Sequence, residues 1–110
     1  MWSHTVTGTR LVITLHEDPG IARRAQLAQD ISALVRSHRP ESLLVVLEDA
    51  AESSAALSAV LRAQRDAGMP MTVRAASVAV RRMLEMNGND DLIVQARTSA
   101  SEDTAFTTAV

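Results

Sequence analysis

The sequence predicts an α/β fold, one domain over residues 1–110 with a largely parallel sheet of four to five strands and about four helices. Three observations lead there. Short β-branched, apolar segments alternate with longer segments of helical periodicity, the pattern of strands joined by crossover helices. Each change of period is marked by Pro, Gly or a capping Ser. The chain of 110 residues is 46% hydrophobic and 22% charged, enough apolar matter for one core and too little length for two.

The elements follow in order. Arg10 to Glu17, "RLVITLHE", is apolar and β-rich, and "TVTG" before it supplies a short antiparallel partner, with Gly8 and Thr9 in the hairpin turn. Pro19 and Gly20 break the chain. From Ile21 the residues Ile21, Ala25, Ala28, Ile31 and Val35, flanked by Leu27 and Leu34, recur at helical spacing, and the approach of Pro40 ends the helix near Ser37. Ser42 to Leu47, "SLLVVL", lacks polar alternation and predicts a strand covered on both faces.

A second helix carries Leu57, Val60, Leu61 and Gln64 and stops at Gly68, a C-terminal cap. After Pro70, "MTVRAA" is the next strand. Ser77 then caps "VAVRRMLEM", and Gly88 in "NGND" is expected at a positive φ. "DLIVQA" is the last strand, and Ser99 with Glu102 three residues on forms a capping box for a final helix.

Composition narrows the function. One Trp, one Phe and no Tyr leave little to stack on bases or sugars. A net charge of −2 argues against a general nucleic-acid binder. The absence of Cys removes disulfides, thiolate metal sites and cysteine nucleophiles, and suits a cytoplasmic location. The start "MWSHTVTGTR" does not read as a signal peptide, and no apolar run reaches the roughly 20 residues needed to span a bilayer. All 11 basic residues are Arg, a preference that fits coding bias better than anion recognition.

Catalytic and metal motifs find no support. His4, His16 and His38 stand apart in no zinc-binding spacing, and no phosphate loop or G-x-S-x-G elbow occurs. His16 beside Glu17 and Asp18 is a weak acid/base candidate. Glu48, Asp49 and Glu52 match no calcium loop and suit the positive end of a helix dipole. Arg74, Arg81 and Arg82 read as a solvated face before an anion site. The chain is therefore expected to be no enzyme, with no cofactor and no bound metal, and to work through a surface that binds another protein.

The second half, "AGMPMTVRAASVAVRRMLEMNGNDDLIVQARTSASEDTAF", resembles the STAS domains of bacterial anti-sigma-factor antagonists. The resembling elements are the strand Met71 to Ala75, the V-R-R-x-L-E helix Val80 to Gly88, the strand Leu92 to Gln95 and the segment Ser99 to Phe106. "LVITLHED" and "ISALVRSHRPESLLVVLED" fit the family's first half more loosely. The resemblance implies a cytoplasmic regulator of transcription without an active site. Its partner would be an anti-sigma factor with a serine-kinase fold, with no nucleic acid or membrane bound, in a chain that is monomeric or weakly homodimeric. It also implies phosphorylation of a serine in a D-S-S-G or D-S-A-G stretch at the start of the second helix.

The corresponding stretch here is "EDAAESSAAL", Glu48 to Leu57. Aligning Glu52-Ser53-Ser54-Ala55 with D-S-S-G makes Ser54 the acceptor. Keeping Leu57, Val60 and Leu61 in step with the family's helix puts Ala55 there instead. Ser53 and Ser54 are thus phosphorylation candidates or plain helix caps, roles that are compatible. The implied partner surface comprises Glu17, Asp18, Glu52, Ser53, Ser54, Ala55, Ala56 and Leu57. A second reading, motivated by the altered acceptor stretch, is an unphosphorylated STAS domain that senses a small ligand or serves as a scaffold.

Overall fold

The computed structural model describes residues 2–88 and 90–97. Five strands run β1 (Trp2–Thr7), β2 (Arg10–Leu15), β3 (Ser42–Leu47), β4 (Met71–Ala75) and β5 (Leu92–Ala96). Between them lie α1 (Gly20–His38), α2 (Ser54–Ala67) and α3 (Val78–Asn87). The strands stand side by side in chain order; β1 pairs antiparallel with β2, and every later pair is parallel. The fourth helix expected from Ser99 and Glu102 lies outside the described residues.

Stepping strand by strand in one direction with right-handed crossovers puts all three helices on the same side of the sheet. Burial agrees. Leu11, Ile13 and Leu15 of β2, Leu43, Val45 and Leu47 of β3, and Met71, Val73 and Ala75 of β4 are sealed against the helices. They meet Leu27, Ala28 and Ile31 from α1, Leu57, Val60 and Ala63 from α2, and Leu84 from α3. The uninterrupted run in β3 suggested cover on both faces, but the described helices cover one. On the other face, the register sets Leu44 between Val12 and Thr72 of the neighbouring strands, and Val46 stays half-buried.

The turn chemistry explains most boundaries. Gly8 has φ +61 and is the first of two residues between the paired Thr7 and Arg10, the requirement of a type II′ hairpin. β1 is longer than "TVTG": it starts at Trp2, whose indole N–H donates to Asp30 of α1 at 3.1 Å. α1 ends with Arg39 in the left-handed region, φ 48, its N–H donating to Val35 at 2.8 Å. Gly68, φ 63, closes α2 in the same way.

Two expectations need correction. Gly88 is extended, φ −83 and ψ 170, so no left-handed turn requires a glycine there. What requires it is space, because a Cβ at this position would overlap the Leu92 side chain. Ile21 and Ala25 do not belong to the buried stripe of α1; Ile21 is 82% exposed, and the buried face runs through Leu27, Ala28 and Ile31. No described helix is long and apolar enough to cross a membrane.

Candidate partner-binding surface

Parallel strands end at the same side of a sheet, so β2, β3 and β4 deliver their following loops to one edge, where α1, α2 and α3 begin. That edge gathers Glu17 and Asp18 after β2, Glu48 to Ser53 after β3, and Ala76 and Ser77 after β4. Residues separated by more than 20 positions become neighbours there.

Ser53 and Ser54 have different structural positions. Ser53 is extended, φ −136 and ψ 162, and is the N-cap of α2: its Oγ accepts the Ala56 N–H at 3.1 Å. The same hydroxyl donates to Asp18 Oδ1 at 2.7 Å, and that oxygen also accepts the Gly20 N–H at 2.8 Å. Asp18 therefore fastens the start of α1 to the start of α2. The Ser53 hydroxyl first, and the Gly20 N–H second, hold its carboxyl below the ordinary aspartate value. Ser54 is the first helical residue and is exposed.

The other expected surface residues divide. Glu17 is exposed beside Asp18, and Ala55 is half-buried. Ala56 and Leu57 are 0% and 3% exposed, and their side chains pack into the core. Their side chains hold the helix against the sheet. Glu52 also turns inward, because its carboxylate accepts the Ala76 N–H at 2.6 Å and the Ser77 N–H at 3.2 Å. A negative group there satisfies free amides and faces the positive end of α3, while Ser77 itself caps Val80 at 3.3 Å. Glu52 thus ties the start of α2 to the start of α3.

The remaining polar candidates have separate partners. Glu48 Oε1 lies 3.0 Å from His16 Nδ1, and His16 Nε2 lies 2.8 Å from Ser3 Oγ. A carboxylate only accepts, so Nδ1 carries a proton, and in the neutral ring Nε2 accepts from Ser3. This serine–histidine–carboxylate order is that of a nucleophile relay. The His16 and Glu48 side chains are 42% and 48% exposed, however, far from the water-excluded surroundings in which such a relay is effective. The chain fastens β1 to the end of β3.

Asp49 pairs with Arg97, which also donates to the Leu47 carbonyl at 2.8 Å. The three carboxylates that are close in sequence, Glu48, Asp49 and Glu52, thus go to three different places. No group of three or more His, Asp or Glu among the described residues is arranged to hold a metal ion. Arg81 donates to the carbonyls of Ala75 and Ala76 at 2.9 and 2.8 Å, and Arg74 to Gln95 at 3.0 Å, so these arginines do not converge on an anion.

Sequence reasoning missed the Glu52 and Arg81 clamps and the Asp18–Ser53 link. Only the last has a local trace, since Asp18-Pro19-Gly20 is a turn in which an aspartate side chain accepts an N–H two residues on.

No protein-family model and no curated protein sequence matches the chain. Solved structures do. The protein TM1081, determined by NMR, is 14% identical, with a TM-score of 0.63 over 100% of this chain and 90% of that one. The anti-sigma factor antagonist SpoIIAA in its unphosphorylated form is 14% identical, with a TM-score of 0.59 over 99% of this chain and 98% of that one. A serine-to-glutamate variant of RsbS from Moorella thermoacetica is 14% identical, with a TM-score of 0.63 over 97% of this chain and 96% of that one. The likeness is one of fold and spans nearly the whole of each chain: the protein has a STAS fold.

Proposed function

We propose that the chain is a single-domain, cytoplasmic STAS regulator that binds an anti-sigma factor of serine-kinase fold, and that phosphorylation of Ser54 ends the contact. The observation that carries this reading is the pair of serines at the start of α2. One hydroxyl is consumed in structure, and the other stands exposed one residue later. The solved neighbours support it: one is an anti-sigma factor antagonist in its unphosphorylated form, and another carries glutamate in place of a serine.

The physics favours Ser54 over Ser53. A phosphate on Ser53 would break its bonds to Ala56 and Asp18 and set a dianion against the Asp18 carboxylate. A phosphate on Ser54 meets the free N–H groups and the positive dipole end of α2 without breaking the cap. It adds about −1.5 to −2 charge at an exposed position, one residue along the chain from the Asp18–Ser53 link. The fold then stays in place while a partner surface built around a small neutral hydroxyl is repelled. A loss of about 3 kcal/mol would weaken binding more than a hundredfold.

The test is incubation with ATP and an anti-sigma serine kinase that co-purifies with the chain, read by intact mass. A single phosphate that persists in Ser53→Ala and disappears in Ser54→Ala is expected. No phosphate, or a phosphate that survives both substitutions, overturns the switch.

A further inference from the structure

A groove runs between α1 and α2. One stretch of it encloses about 230 Å³ and is bounded by Ile21, Arg24, Ala28, Ser58, Ala59 and Arg62. A continuation past Ala28 and Arg62 reaches Ser32 and Asp66. The floor is made of small side chains; Ala28 and Ala59 are 5% and 1% exposed. Two features show that this floor is more than a tight helix contact. Ile21, a large apolar side chain, stands 82% exposed at the rim. Arg24 and Arg62, one from each helix, face the same space, and neither makes a hydrogen bond or ion pair with the described residues.

We propose that this groove docks an acidic helical segment of a protein partner, with carboxylates on Arg24 and Arg62 and an apolar side chain against Ile21 and the alanine floor. Two guanidiniums that line one groove and are not engaged by the described residues suit carboxylates, which arginine binds with two parallel hydrogen bonds. The exposed isoleucine calls for an apolar group beside those carboxylates, a combination that an amphipathic acidic helix provides and a small anion lacks.

The groove is also continuous with the surface proposed above, and the proposal rests on that reading for the presence of a protein partner. Ser54, Ser58 and Arg62 follow at intervals of four along α2, and all three are exposed. A partner crossing this stripe meets acid at Glu17 and Asp18 and base at Arg24 and Arg62. Such a charge arrangement fixes its orientation as well as its affinity.

The probe is a synthetic helical peptide with Leu and Glu on one face, titrated into the ¹⁵N-labelled full chain and followed by amide shifts. Saturable shifts confined to Ile21–Ala28 and Ser58–Arg62 are expected. Affinity should fall about tenfold or more in the Arg24→Glu/Arg62→Glu double variant, and with a peptide carrying Gln for Glu. Shifts elsewhere, equal binding by the double variant, or no binding overturns the proposal. The same shifts with inorganic phosphate would reassign the groove to a small anion and overturn it too. Concentration-dependent shifts without peptide would assign it to a second copy of the chain, with the same consequence. If reversing both charges disturbs the dispersed amide spectrum, the Arg24→Gln/Arg62→Gln variant carries the comparison. Phosphorylation of Ser54 is read separately by mass, so failure of the groove leaves the switch standing, and failure of the switch leaves the peptide result intact.

Discussion

Replacing each serine at the start of α2 by alanine separates a structural hydroxyl from a free one. Ser53→Ala removes the acceptor for the Ala56 N–H, and this amide is partly shielded from water. Losing an N-cap costs about 1 kcal/mol, within a range of about 0.5–2. The shielded amide left without an acceptor places this case in the upper half of that range. Ser54 occupies the first helical position, is exposed, and is not the cap. Alanine is the better helix former, so Ser54→Ala should leave stability within about 0.5 kcal/mol of the parent or raise it slightly. Urea unfolding followed by far-UV circular dichroism resolves the difference. With a slope of about 1–3 kcal/mol per M, Ser53→Ala should lower the midpoint by about 0.5–1 M, and Ser54→Ala should leave it in place. Equal midpoints for the two variants, or a larger loss for Ser54→Ala, would show that Ser53 is not the cap and would remove the argument that Ser54 is the available hydroxyl.

Three further outcomes follow from the same geometry. Asp18 has a folded-state pKa below its unfolded value. Its contribution to stability is therefore present above the unfolded value of about 3.8 and is lost as pH falls through the lower folded value. In Ser53→Ala the Asp18 carboxyl should titrate closer to the ordinary value, read by carboxyl ¹³C shifts against pH; an unmoved midpoint refutes the hydroxyl as the leading cause. Glu52→Ala leaves the Ala76 and Ser77 amides without their acceptor and should cost about 1.5–3 kcal/mol in urea unfolding, with faster amide exchange at Ala76; parental stability would refute the clamp. Gly88→Ala should cost about 1–3 kcal/mol through overlap with Leu92. Gly88→Asn should be no better, whereas recovery in the Asn variant would point back to a left-handed turn.

Much of the architecture follows from the sequence alone. The apolar runs at Arg10–Leu15, Ser42–Leu47, Met71–Ala75 and Leu92–Ala96 are strands, and Gly8, Gly68 and Ser77 terminate or begin elements by local backbone chemistry. Given those elements, right-handed crossovers leave few ways to arrange the sheet. These features are legible because each depends on residues within a few positions of one another.

Tertiary structure decided the rest. Ile21 has the right spacing for the buried stripe, yet whether it is covered depends on what lies beneath. A helix of 19 residues spans about 28 Å, and the six-residue strands only about 20 Å, so the sheet cannot cover every turn of α1, and residues 21–26 are all exposed. Gly88 carries a glycine's usual signature but answers to the Leu92 side chain across a turn. The acidic stretch Glu48, Asp49 and Glu52 looks like one cluster in the sequence. The fold sends its members to His16, Arg97 and the α3 amides, because parallel strands bring three separate loops to one edge. The same convergence makes Ser53 the partner of Asp18, 35 residues away, and leaves Ser54 exposed. Sequence proximity sets which groups are available; the packing of helices on a parallel sheet decides which are already engaged with one another and which still face solvent.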